Sequence, residues 1–138
     1  MRWSGDHCRD VFGRRRVARL ATSGPDGRPH LVPVVFALHG DTIAMAVDAK
    51  PKRTAHLKRL ANIRANPNVC LLADEYDDDW RQLWWVRADG AARIVESGRE
   101  RGAAIARLAE RYRQYRTAPP EGAVVLVSVH RWSGWSAE

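Results

Sequence analysis

The sequence predicts a single domain of mainly β structure, a small antiparallel β-barrel with two or three flanking helices. Three predicted strands follow one another, joined only by turns, before the first long helix. A parallel sheet needs strands that alternate with helices throughout, and this order does not have them. The 138 residues are enough for one hydrophobic core and too few for two domains, so residues 1–138 form one predicted domain.

The first half of the chain predicts a short helix followed by a three-stranded antiparallel meander. The predicted elements are a helix over residues 6–14 and strands over residues 17–22, 30–38 and 42–47. Residues 23–29 and 39–41 are rich in glycine, proline and aspartate, which is typical of tight turns. Pro33 lies inside the second strand. Because proline cannot donate to a β-ladder, we expect Pro33 at an edge or a bulge.

The second half alternates helices with extended segments. The predicted elements are a helix over residues 54–65, a strand over 69–74, an acidic loop over 75–80, a strand over 83–95 with a bend at 89–90, a helix from 97 to about 115 and a strand over 123–129. Asn66 and Pro67 end the helix over residues 54–65. Ser97 and Glu100 have the spacing of a capping box, which predicts the start of the helix from 97 to about 115.

The helix over residues 54–65 has an amphipathic pattern. Leu57, Leu60 and Ile63 fall near one face, which predicts that this face packs on the barrel. The cations of the same segment are expected to face solvent: Lys58, Arg59 and Arg64.

The composition favours a cytoplasmic protein that binds neither nucleic acid nor membrane. The net charge is +7, from 23 basic and 16 acidic residues, but no basic strand is interleaved with aromatic residues as in nucleic-acid-binding barrels. No apolar run approaches the roughly 20 residues of a membrane span, and the polar start is unlike a signal peptide. The two cysteines are far apart in sequence, and Cys70 lies in an apolar run typical of a buried thiol.

The usual signatures of metal binding and of nucleophilic catalysis are missing from the sequence. The five histidines are scattered, and no histidine and cysteine have the spacing of metal ligands. Neither a Gly-x-Ser-x-Gly nucleophile motif nor a glycine-rich phosphate loop occurs. If the protein is an enzyme, a bound cofactor is therefore expected to supply the chemistry, and no catalytic residue is predicted.

A cationic junction precedes the helix over residues 54–65. Lys50, Lys52 and Arg53 come where a strand ends, and Thr54 follows at the helix start. The first amides of a helix lack intrahelical partners and carry partial positive charge, so this junction predicts a phosphate-binding site. A solvated turn beside a capped helix is the alternative.

Three tryptophans and an arginine follow the acidic loop. In a strand, Trp84 and Trp85 face opposite sides, so they cannot both be core residues. One of them, with Arg87 beside it, is a candidate for a pocket wall or an interface. The alternative is one core tryptophan and one partly exposed barrel residue.

The order of these segments resembles the pyridoxamine 5′-phosphate oxidase-like superfamily of split β-barrel flavoproteins. The matching segments are residues 17–34, 52–54 with Leu57, 66–69 and 129–135. Within the superfamily, residues 74–87 resemble the branch that depends on coenzyme F420, a deazaflavin.

The resemblance implies a homodimer with two cofactor sites at the subunit interface. The cationic junction would bind the cofactor phosphate, Val32, Pro33 and Val34 would lie along the ring system, and Trp84, Trp85 and Arg87 would reach a site from the other subunit. The implied function is hydride transfer from reduced F420 to a small conjugated or quinone-like substrate. The alternatives are an FMN-binding relative of pyridoxamine-phosphate oxidase, a non-catalytic carrier of F420 or a tetrapyrrole, and a basic nucleic-acid-binding barrel.

Overall fold

The structure of the chain is a computed structural model that describes residues 1–47 and 54–138, with only the backbone of residues 54–57. The helices are α1 (Gly5–Arg14), α2 (Thr54–Ala65), α3 (Arg99–Arg111) and α4 (Arg113–Thr117). The strands are β1 (Ala18–Ser23), β2 (Pro29–Val34), β3 (Ala37–His39), β4 (Thr42–Ala46), β5 (Asn68–Glu75), β6 (Trp84–Val95) and β7 (Val124–Ser136). No helix among the described residues has the length and apolar character needed to cross a membrane.

The seven strands of the described residues form one antiparallel sheet that curls into a split barrel. Their order is β2-β1-β5-β6-β7-β4-β3, so β2 and β3 lie at opposite edges. Only Val35 and Phe36 separate these two strands in the chain. Since Cα atoms three residues apart are at most about 11 Å from each other, the two edges must come together. The barrel is therefore split where β2 gives way to β3.

The predicted strand over residues 30–38 is wrong as one continuous element, because it bends at Phe36. The backbone groups of Phe36 do not continue the ladder of β2. They bond to the Tyr112 side chain: its hydroxyl accepts from Phe36 N at 3.1 Å and lies 2.8 Å from Phe36 O. The same hydroxyl lies 2.9 Å from Arg16 O. One buried phenol thus connects α3, the start of β1 and the bend, which satisfies polar groups that the bend would otherwise leave buried and unpaired.

The hydrophobic core fills the barrel and extends under α1. The largest fully buried side chains are Phe12, Phe36, Leu20, Ile43, Met45, Leu71, Leu108, Val86, Val124, Val125, Val127 and Asn62. Phe12 of α1 packs against Phe36, with ring centroids 4.7 Å apart, and against Trp132 at 5.3 Å. This helix therefore covers one part of the barrel interior.

The predicted bounds of α2 are confirmed, but its predicted polar face is wrong at Arg59. Arg59 is only 8% exposed, and Asn62 and Ile63 are buried beside it, while Leu60 is half-buried. Positions 59, 62 and 63 share one helical face. This face packs over the end of β1, where the Asn62 amide donates to Thr22 Oγ1 at 3.1 Å. A polar partner on β1 has selected the buried face, which an apolar periodicity cannot anticipate.

A register shift between β6 and β7 occurs at residues 89–90, where a bend was predicted, while β6 itself is continuous from Trp84 to Val95. On one side of the shift Asp89 pairs with Arg131, and on the other Gly90 pairs with Val129. Gly90 is required there because a Cβ would meet the Ser128 carbonyl and would lie 2.9 Å from Val127 Cγ1. The predicted end of the last strand at residue 129 is wrong, since β7 continues past the shift to Ser136.

The predicted capping box at the start of α3 is wrong. Gly98, with a φ of 94°, is the N-cap residue, and no side chain caps the helix. Glu100 instead forms a two-pronged ion pair with Arg93 of β6, which removes its carboxylate from the cap position. The predicted single helix to about residue 115 is also interrupted, because Tyr112 has extended backbone between α3 and α4.

The β3–β4 turn is tied to both ends of the chain through Asp41. Its carboxylate accepts from Trp132 Nε1 at 2.9 Å and from Arg9 at 3.3 Å. The bond from Trp132 and then the bond from Arg9 lower the pKa of Asp41 below its ordinary value. This carboxylate therefore stays ionised in the folded protein and links α1, β4 and β7.

Candidate functional site

The outward face of the sheet carries rows of side chains that run across several strands. The pairing of β1 with β2 and with β5 aligns Pro33, Arg19 and Leu72, and the pairing of β6 with β7 continues that row through Arg87 and Ser133. The rows on either side contain Leu31, Ala21, Cys70, Asp89 and Arg131, and Asp74, Trp85 and Trp135. Residues two apart on a strand share a face, so these side chains lie on one surface outside the barrel.

One end of this face forms an open cleft lined by tryptophans and arginines. Arg2 bridges to Trp135, so the first residues extend the sheet beside β7. The cleft has a volume of about 380 Å³ and is lined by Arg2, Trp3, Trp85, Arg87, Arg131, Trp132, Ser133, Gly134 and Trp135. We call this the Trp–Arg cleft. Gly134 keeps its floor close-packed, since a Cβ there would lie 2.7 Å from Cys8 Sγ and 3.0 Å from the Trp85 carbonyl.

The electrostatics of the Trp–Arg cleft favour an anion. Arg87 donates to Asp89 Oδ2 at 3.1 Å and lies 5.9 Å from the ring centre of Trp85, which fixes its guanidinium. Within the described residues, Arg2 and Arg131 have no ion pair. The Ser133 hydroxyl is buried and has no hydrogen-bond partner in the same part of the chain. The cleft thus offers flat aromatic surface, uncompensated positive charge and a free hydroxyl.

The prediction that Trp84 and Trp85 face opposite sides is confirmed. Trp84 packs against the core, with its ring centroid 5.8 Å from that of Trp3 and the Arg15 guanidinium 5.2 Å from its own ring. Trp85 faces outward and lines the Trp–Arg cleft with Arg87. The structure therefore brings together two of the three residues proposed to reach a partner's site, and places Trp84 behind them as a support.

Pro33 lies on an edge strand, as expected, and β2 pairs only with β1 among the described strands. Pro33 lies opposite Arg19, and Pro29 opposite Ser23. A proline has no N–H, so these cannot be hydrogen-bonded pairs, and residues of this parity direct their backbone groups away from β1. The free edge of β2 consequently presents the N–H of Leu31 and the carbonyls of residues 29, 31 and 33.

The two valines beside Pro33 face the barrel interior. Val34 is buried and Val32 is half-buried against the core, while the Pro33 ring is exposed. Any contact between this strand and a planar ligand would therefore use the backbone edge and the Pro33 ring. Whether these residues contact a cofactor stays a prediction.

The predicted phosphate junction lies almost entirely outside the described residues. Lys50, Lys52 and Arg53 lie outside the described residues, and for Thr54 only the helical backbone is described. Their assignment stays a prediction.

Neither a metal site nor a nucleophile emerges from the described residues. No group of three histidine, cysteine or acidic side chains lies together in residues 1–47 and 54–138. Both cysteines are free, and Cys8 is buried. Burial raises the pKa of the Cys70 thiol, and the Asp89 carboxylate raises it further. At neutral pH this group is a thiol, which is a poor nucleophile.

Several residues of the Trp–Arg cleft were not singled out by the sequence: Arg2, Arg131, Ser133 and Trp135. The alternation over residues 131–135 carries the signal, because arginine, serine and tryptophan take the outward positions while Trp132 and Gly134 face the core side. Because the last strand was predicted to end at residue 129, residues 131–135 were not recognised as part of a strand.

Solved structures from several bacteria have the same fold. A conserved hypothetical protein from Mycobacterium tuberculosis superposes with a TM-score of 0.76 at 25% identity, over 97% of this chain and 85% of that one. A protein from Mesorhizobium loti described as FAD-binding gives 0.76 at 22% identity, over 100% and 98%. The FAD-binding protein of Mycobacterium smegmatis gives 0.66 at 25% identity over the whole of both chains.

No curated protein matches the chain. The family model described as pyridoxamine 5′-phosphate oxidase matches residues 4–136. The predicted superfamily and the predicted split barrel are thereby confirmed, and the chain belongs to the pyridoxamine 5′-phosphate oxidase family.

Proposed function

We propose that this protein is a homodimeric oxidoreductase that binds reduced coenzyme F420 and supports hydride transfer to a small conjugated or quinone-like substrate. The Trp–Arg cleft is the observation that carries the proposal. It combines aromatic walls, unpaired arginines and a buried hydroxyl on the outward face of the barrel. Membership of a family named for a flavoenzyme adds the prior expectation of a redox cofactor.

The residues present fit a planar anionic cofactor. Tryptophan side chains pack on flat rings, and arginines bind phosphate and carboxylate groups. The Ser133 hydroxyl lacks a partner in the described chain, and such a buried polar group calls for one. A long anionic tail of phosphodiester and glutamates, as in F420, suits a protein with a net charge of +7.

The proposed dimer is supported by apolar side chains on the outward face of β1, β2 and β5. Leu31 is 68% exposed, Val17 just before β1 41% and Leu72 37%; the Pro33 ring is also exposed, and Arg19 lies between Pro33 and Leu72. Several exposed apolar side chains on one face of a sheet are a common feature of interfaces. We propose that a second copy of the chain covers this surface, and that the Trp–Arg cleft at its end then faces the cofactor of the partner.

In this arrangement the protein binds and orients, and the bound deazaflavin supplies the hydride. Arg87 is held by Asp89 and lies over Trp85, so it presents a fixed donor to an anionic group. The free backbone edge of β2 offers donors and acceptors to the polar edge of a ring system. The dimer contact excludes water from the space between them. Lys50, Lys52, Arg53 and Thr54 complete the proposal as the phosphate site.

Side-by-side titration of F420 and FMN tests the cofactor assignment. We expect F420 to bind more tightly, with an affinity that falls as ionic strength rises, because unpaired arginines contribute. Arg53→Ala should weaken binding by roughly ten- to a hundred-fold, the loss of one charge-assisted contact. Loss of reduced F420 absorbance is then followed with a panel of enones and quinones. Tight FMN binding with negligible F420 binding would overturn the deazaflavin assignment.

A non-catalytic carrier of F420 or a tetrapyrrole is the second candidate. The side chains that line the Trp–Arg cleft are tryptophan, arginine and serine, which suit the binding of a planar anion and do not require a reaction. F420 binding without turnover of any acceptor in the panel would support the carrier and contradict the enzyme.

A further inference from the structure

Arg59 is a buried cation whose charge the described protein leaves uncompensated. Its side chain is on the inner face of α2, and the residue is 8% exposed. Its Nε is fully buried without a hydrogen-bond partner, and no carboxylate in residues 1–47 or 58–138 forms an ion pair with it. A guanidinium stays protonated when buried, so an unpaired one destabilises the fold unless an anion joins it.

The surroundings of Arg59 do not remove this charge. Burial lowers the pKa of Arg59, and the side chain of Tyr115 on α4 is the titratable group that opposes the shift. Asn62, one turn further along the helix, uses its amide to bond Thr22 Oγ1 at 3.1 Å. The Asn62 amide is therefore committed to Thr22, and no described carboxylate pairs with the Arg59 guanidinium.

The position of Arg59 in α2 directs its side chain toward the start of the helix. Arg59 is five residues after Thr54, which places its Cα about 7.5 Å along the axis from that residue. Side chains on an α-helix lean toward the N-terminus, and an arginine is long enough to cover this rise. The guanidinium is thus expected beneath the first turn, where unpaired amides and the helix dipole also favour an anion.

We propose that Arg59 is an internal anion-binding residue that holds a phosphate group from the barrel side of α2. This inference rests on the proposed function, since the phosphate would be that of the cofactor. The planar guanidinium fork matches two phosphate oxygens, which a lysine could not do.

Replacement by an apolar side chain of similar length tests the proposal through two readouts of opposite sign. Arg59→Met should weaken FMN or F420 binding at least about ten-fold, and it should leave riboflavin, which has no phosphate, unaffected. The melting temperature of the ligand-free protein should stay the same or rise, because an unpaired buried charge is removed. Arg64→Met on the exposed side of α2 is the matched control and should change neither.

Inorganic phosphate separates this proposal from the cofactor assignment. Phosphate should raise the melting temperature of the wild-type protein and of Arg64→Met, but not that of Arg59→Met. If no flavin or deazaflavin binds but this phosphate effect is seen, the Arg59 site stands and the proposed function fails. If cofactor binds equally to Arg59→Met, or if the ligand-free variant is clearly destabilised, Arg59 has a structural partner in the protein and the proposal is overturned.

Discussion

Removing the hydroxyl of Tyr112 should destabilise the barrel at the bend between β2 and β3. This hydroxyl accepts from Phe36 N at 3.1 Å and lies within 2.9 Å of the carbonyl oxygens of Phe36 and Arg16. Tyr112→Phe keeps the ring, which packs with Tyr115 at 6.0 Å between centroids. The substitution therefore isolates the hydrogen bonds from the packing.

The magnitude follows from the groups left without partners. Phe36 is fully buried and Tyr112 is 8% exposed, so water does not replace the lost hydroxyl. An unsatisfied buried donor costs about 1–3 kcal/mol, and the hydroxyl serves an acceptor as well, so we expect a loss of about 2–3 kcal/mol. At about 4 °C per kcal/mol for a domain of this size, the melting temperature should fall by about 8–12 °C.

Urea denaturation at a fixed protein concentration measures this loss, since the proposed dimer would make stability depend on concentration. Tyr76→Phe is the control, because Tyr76 is 70% exposed and its hydroxyl should contribute less than about 0.5 kcal/mol. If Tyr112→Phe also stays within about 0.5 kcal/mol of the wild type, the bend satisfies its own polar groups and the reasoning is refuted.

Three other substitutions test separate parts of the structure. Gly90→Ala should destabilise the protein by at least about 2 kcal/mol, because the new Cβ meets the backbone of β7. Gly102→Ala in α3, with open space around it, should stabilise the protein by about 0.5–1 kcal/mol. Thermal melts of both variants would contradict us if the two changes in melting temperature had the same sign. Asp41→Asn should be less stable than the wild type at neutral pH, and the difference in their free energies of unfolding should shrink in acid. A carboxylate with a lowered pKa stabilises the fold above its unfolded pKa, and this stabilisation is lost as the pH falls through the folded pKa. Leu31→Glu should convert a dimer to monomers in sedimentation while Ala106→Glu, on exposed α3 surface, should not; a dimer that survives Leu31→Glu would place the interface elsewhere.

The sequence was sufficient to predict features that depend mainly on the residues of one element. Residues 54–65 of α2 end at Asn66-Pro67, and proline disfavours helix at the residue before it, so the predicted bounds were confirmed. The aspartate–glycine pair at residues 89–90 likewise indicated an irregularity inside an extended segment, and a register shift between β6 and β7 occurs there. The helix end depends on the backbone preferences of its own residues, whereas Gly90 is required by its close contact with β7.

The incorrect predictions concern features that depend on contacts with distant parts of the chain. The bend at Phe36 depends on a hydroxyl 76 residues away, and the N-cap of α3 is lost because Glu100 pairs with Arg93 of β6. The burial of Arg59 depends on α2 packing over β1. In the candidate site, the strand period was enough to separate Trp84 from Trp85. It was not enough to find the rest of the Trp–Arg cleft, which needs the pairing of β6 with β7 and with the first residues.

The distribution of charge connects these observations to binding. Exposed arginines such as Arg81 and Arg93 have acidic partners, but Arg59 and the cleft residues Arg2 and Arg131 have none in the described residues. An unpaired arginine in solvent hardly changes the free energy of unfolding, whereas the unpaired buried Arg59 lowers the stability of the ligand-free protein. Binding of an anion restores that stability, so the same residue that weakens the empty protein strengthens the complex. We therefore expect an anionic cofactor to stabilise the fold by more than its contacts at the exposed surface would provide.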